Sequence, residues 1–87
     1  DGRHREAVEL LEDLLPRQEK ALGPDHPDAL ETVMTLGVLF QERAGFGKAE
    51  RLLRRALEAL ERVHGKDHPD ALRAVNHLAT LYQHRGE

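Results

Sequence analysis

The stretch "GPDHPDAL" at residues 23–30 returns as "GKDHPDAL" at residues 65–72. One His-Pro-Asp cluster suggests acid–base chemistry or a metal site. Two copies at a fixed distance suggest an architectural repeat instead, because ligands must converge on a reacting centre while repeats spread along a stack. Working outward from the pair, a slide of 42 residues sets residues 1–45 against 43–87, and seventeen of the 45 pairs are identical. They include Ala7 with Ala49, Leu11 with Leu53, Leu15 with Leu57, Val33 with Val75, Leu36 with Leu78 and Leu39 with Leu81. The duplication therefore spans the whole chain.

Between the two copies the apolar residues follow helical spacing. Leu30, Val33, Leu36, Gly37 and Phe40 recur at intervals of three and four, as do Ala49, Leu52, Leu53, Ala56, Leu57 and Leu60. "RAGFGK" at 43–48 separates these faces, with glycines suited to a tight turn between helices. The same spacing predicts a helix over 3–22 and another over 69–85. Strand alternation is absent, so the expected fold is all-α: four antiparallel helices joined by short loops. Pro16 lies inside the first helix, where it removes one backbone bond, and a kink rather than a stop is expected.

Within each corner nearly every residue has a mechanical use. Gly23 and Gly65 accept the left-handed conformation that closes a helix. Asp25 and Asp67 are the expected N-caps of the helices that follow. Pro27 and Pro69 suit the first turn, and Asp28 and Asp70 complement the positive helix end. His26 and His68 are left without an assigned task beyond packing or hydrogen bonding within the corner.

Several segments resemble the tetratricopeptide repeat, in the 42-residue variety of kinesin light chains. "KAERLLRRALEALE" (48–61), "VNHLATLYQHRG" (75–86) and "GKDHPDAL" are similar to its pattern closely, and "VMTLGVLFQERAG" (33–45) more loosely. The resemblance implies helix hairpins stacked in a right-handed superhelix that binds protein segments on its concave side. Against that pattern, residues 1–87 are expected to form a single domain: 3–22 as the second helix of a preceding unit, 27–63 as a complete repeat, and 69–85 as the first helix of the next. Such a chain is either a piece of a longer array or completes itself by association. The groove stripe implied by the resemblance comprises Glu31, Met34, Val38 and Gln41 in one unit and Arg73, Asn76, Thr80 and Gln83 in the next, with Met34 and Val38 exposed. Of the paired asparagines common in kinesin-light-chain repeats, Asn76 alone is present to clamp a peptide backbone.

Composition narrows the function classes. The 87 residues are 39% hydrophobic and 33% charged, enough apolar content for a small core and too much for a disordered chain. Cysteine is absent, which excludes disulfides and Cys-based zinc sites. Aromatic residues are 3% and the net charge is −3, so neither a stacking platform nor a phosphate-binding surface for nucleic acid is expected. No apolar run approaches the roughly 18 residues of a membrane span, and no leader is visible, so a cytoplasmic domain with no membrane partner is expected. No phosphate loop, nucleophile elbow or metalloprotease motif occurs, and neither enzymatic activity nor a cofactor is expected. His77 and His84 are seven apart, too far for one ion. His64 and His68 flank a corner and can meet, without an obvious third ligand. Scattered surface histidines are the simpler reading.

The charges are asymmetric across the slide. Glu6, Glu9, Glu12, Asp13 and Glu31 stand where Lys48, Arg51, Arg54, Arg55 and Arg73 stand one unit later. The expectation is that the basic helix faces the acidic one and sets the order of units. Two functions emerge: a non-catalytic scaffold presenting a concave groove to a peptide or protein, or an assembly element whose open helical ends stack on other copies as a homo-oligomer.

Overall fold

The computed structural model describes residues 2–86. Four helices follow in order: α1 (Gly2–Leu22), α2 (Pro27–Glu42), α3 (Phe46–His64) and α4 (Pro69–Arg85). No strand occurs among the described residues. Helix α1 continues through Pro16 without stopping. Helix α2 packs most heavily on α3, α3 then packs on α4, and α1 rests on α2. This is the antiparallel helix-hairpin order that the spacing predicts.

Packing follows the apolar spacing. Leu30, Val33, Leu36, Leu53, Leu60 and Leu81 are all at most 2% exposed, and five alanines (Ala29, Ala49, Ala56, Ala71, Ala74) are fully buried. Small residues let the backbones approach: a methyl on Gly37 of α2 would stand 2.8 Å from Leu53 Cγ of α3. Phe40, Leu52 and Leu57, expected in the core, are half-buried at its edge with Leu15 of α1. Helix α1 has no buried residue, and Leu10 is 70% exposed. His4 anchors α1 by donating from Nε2 to the Leu39 carbonyl at 2.7 Å, and Thr32 of α2 donates to Gln18 at 2.6 Å.

The two corners share one geometry. Gly23 and Gly65 have φ of 96° and 91°, in the left-handed region where a side chain is strained. The amides of Gly23 and Gly65 donate to Glu19 and Glu61, and those of His26 and His68 donate back to the glycine carbonyls. The N-caps are His26 and His68, not Asp25 and Asp67 as expected. Each imidazole Nδ1 accepts from the amide two residues on, Asp28 or Asp70, at 3.1 Å. The reason is register: Pro27 and Pro69 are the first helical residues, so the cap must be the residue just before them. The histidines have the mechanical job, and Asp25 instead accepts from Arg62 of α3 at 2.8 Å. At the α2–α3 turn the left-handed residue is Ala44 (φ 62°), while Gly45 caps α3.

Candidate functional site

Helices α2 and α4 run side by side and leave a cleft of about 230 Å³ between them, lined by Glu31, Met34, Thr35, Val38, Arg73 and His77. Its position follows from the periodicity. With Leu30, Val33 and Leu36 turned to the core, residues 31, 35 and 38 face the opposite side of α2. Val38 is half-buried and Met34 is 3% exposed, so Met34 belongs to the core rather than standing exposed as expected. Its buried side chain closes the floor of the cleft. Above it Arg73 donates to Glu31 Oε2 at 2.8 Å, and Arg73 also reaches Asp70 Oδ1 at 3.5 Å. The Thr35 hydroxyl is turned back on the Glu31 carbonyl at 2.9 Å.

Four of the eight groove residues named from sequence therefore line one cleft: Glu31, Met34, Val38 and Arg73. The others lie elsewhere. Gln41 is buried, and its Nε2 lies 3.0 Å from His84 Nδ1, tying the end of α2 to the end of α4. Thr80 donates to the Asn76 carbonyl at 2.9 Å, while Asn76 and Gln83 are exposed on α4. Thr35 and His77 line the cleft and were not in the expected stripe. They are equivalents across the 42-residue slide, which is the relation that would have found them.

The expected charge register holds for one pair only, Glu31 with Arg73. The backbones of α1 and α3 do not come close, since α2 lies against both, and the two helices meet only through long side chains. The slide gives equivalent positions, and here equivalent does not mean adjacent. Arg55 bonds Glu19 rather than Asp13, and Asp13 pairs with Arg17 of its own helix at 3.1 Å. The space between α1 and α3 is a second cleft of about 320 Å³, lined by Glu12, Phe40, Lys48, Arg51, Leu52 and Arg55, with Lys48 Nζ 5.3 Å from the Phe40 ring centre.

Arg54 turns instead to α4. It donates to Tyr82 Oη at 2.6 Å and to Glu50 at 3.1 Å, Tyr82 donates to Glu50 at 2.7 Å, and Arg85 donates to Glu50 at 3.0 Å. The Tyr82 hydroxyl, then the Arg54 guanidinium, hold the Glu50 carboxyl below its ordinary value. The bond to Glu50, with some loss of hydration, raises the Tyr82 phenol. The network locks α4 to α3.

A family model described as tetratricopeptide repeat matches residues 1–62. No curated protein matches the chain at a significant level. No helix among the described residues is long and apolar enough to cross a membrane.

Proposed function

This chain belongs to the tetratricopeptide-repeat family, and from that premise we propose that it is a non-catalytic scaffold holding a polypeptide partner in the α2–α4 cleft. Repeats of this family generally mediate protein–protein interaction. The observation that carries the finer reading is the composition of the cleft: an apolar floor of Met34 and Val38 beneath a polar wall of Glu31, Arg73 and His77. An extended segment with one aliphatic side chain suits the floor, and polar neighbours on either side suit the wall. In this reading residues 27–63 are one full repeat between two halves of neighbouring repeats. Selection of a random peptide library on the chain tests it. Enriched peptides should share an aliphatic position, and Val38→Glu should abolish their binding. Equal binding to the variant would contradict the proposal.

A second reading, assembly by stacking, has its own support. Leu72 and Val75 of α4 hold the positions of buried Leu30 and Val33, yet are 51% and 45% exposed. That face suits a further helix, whether from the same array or from a second copy. Light scattering over a concentration series separates the two: a monomer throughout counts against self-association.

A further inference from the structure

We propose that His64, His68 and Asp70 form a site for one divalent transition-metal ion of the zinc or nickel kind, which staples the end of α3 to the start of α4. The two corners are equivalent at every residue from Asp25 to Leu30, but His64 stands where the first corner has Leu22. Only the second corner therefore carries a second imidazole. His64 is the last residue of α3, His68 caps α4, and Asp70 is in the first turn of α4. The backbone between them is fixed by bonds from Gly65 to Glu61 and from His68 to Gly65.

The imidazoles of His64 and His68 are stacked, with ring centres 4.3 Å apart and planes at 21°. Asp70 Oδ2 lies 3.9 Å from His68 Nδ1. One ligand atom from each of the three residues lies within 4.8 Å of the others. Around a tetrahedral ion with bonds near 2.0–2.1 Å, neighbouring ligand atoms are roughly 3.3 Å apart. The donors must close by about 1.5 Å or less, through rotation of side chains that are exposed (His64) or half-buried (His68, Asp70). The stack opens as the ring nitrogens turn onto the ion. Two imidazoles and one carboxylate suit zinc, nickel or copper rather than magnesium or calcium, and a water completes the shell. Arg73 approaches Asp70 through Oδ1, leaving Oδ2 turned toward His68 and the carboxylate oriented.

Coordination has a specific consequence for the cap. The His68 Nδ1 lone pair accepts the Asp70 amide, so the neutral ring carries its proton on Nε2. An ion at Nδ1 displaces the amide directly. An ion at Nε2 moves the proton to Nδ1, which then faces the amide. Either way the cap bond is exchanged for the metal, and the Asp70 amide reports it. The positive helix end disfavours the cation, and the Asp70 carboxylate offsets that.

The test is a calorimetric titration of the tag-free chain with zinc chloride, paired with amide spectra. The expected result is one ion per chain at micromolar affinity, with the Asp70 amide shifting while Asp28 at the first corner stays. His64→Leu places at the second corner the residue the first already has, and should weaken binding more than about tenfold with an unchanged metal-free melt. Asp70→Asn gives a second, independent loss. His77→Ala, in the α2–α4 cleft, should leave binding unchanged. Absence of heat up to about 1 mM zinc, undiminished binding by His64→Leu, or an equal loss in His77→Ala would each overturn the site.

Discussion

Gly37→Ala tests the tightest contact between α2 and α3. An added methyl would stand 2.8 Å from Leu53 Cγ, 2.9 Å from Leu53 Cδ2 and 3.5 Å from the Ala49 carbonyl. Apolar carbons rest at about 3.5–4.0 Å, so the helices must part or Leu53 must move. Leu53 is fully buried, and Cγ cannot be cleared by rotating the end of the side chain. Overpacking of this kind costs about 1–3 kcal/mol. Replacing a helical glycine by alanine returns about 1 kcal/mol. The net expectation is a loss of up to about 2 kcal/mol. Leu53→Ala alone should cost about 2–5 kcal/mol, since it opens a cavity in a closed core. In that background the obstructing atoms are gone, and Gly37→Ala should become stabilising by about 1 kcal/mol. The change of sign is the prediction. Urea unfolding followed by far-ultraviolet circular dichroism measures it, because the chain has no tryptophan; an excluded osmolyte keeps the weaker variants folded at zero urea. Ala79 of α4 is the equivalent position and is exposed, so Ala79→Gly should show the helix term alone, about 1 kcal/mol. The same effect of Gly37→Ala in both backgrounds, or stabilisation in the parent, would refute the close packing of α2 on α3.

Two further predictions concern the corners and the α3–α4 lock. His26→Ala and His68→Ala should each cost about 1 kcal/mol while the asparagine variants cost little, and Asp67→Ala should lose no cap; thermal melts decide this, and a larger loss at Asp67 would restore aspartate as the cap. The Glu50 carboxyl is held below its ordinary value of 4.5 in the folded chain, so its contribution is present above that pH and is lost as pH falls through the depressed value. Melting temperature should therefore fall more steeply below about pH 4.5 in the parent than in Glu50→Gln, and parallel acid limbs would show that the Tyr82–Glu50–Arg54 network adds nothing.

Helix order and core were legible because one signal, apolar spacing at three and four, repeats twice with the same corner between. Gly37 reads as a core position from that spacing, and the structure puts it against Leu53. The cap was readable too, though not from residue preference alone. Aspartate is the better capping residue in general, but a proline at the first helical position forces the cap onto the residue before it, His26 or His68. The charge register was not legible, since the slide gives equivalence and not distance; α2 lies against both α1 and α3, and Arg55 reaches Glu19 instead. Half of the expected groove stripe shares one cleft, and the rest is lost to burial, as at Gln41, or to placement elsewhere on α4, as at Gln83. The approach of Asp70 to His64 and His68 depends on the turn of the first residues of α4, which helical spacing of apolar residues does not report.

The claim that the α2–α4 cleft is where a partner is held is tested most directly by amide chemical-shift mapping of the tightest library-selected peptide on the whole chain. The largest shifts should fall on Thr35, Val38, Arg73 and His77, with Lys48, Arg51 and Arg55 of the second cleft unmoved. Shifts concentrated on those three basic residues of α3, with the α2–α4 cleft silent, would contradict it.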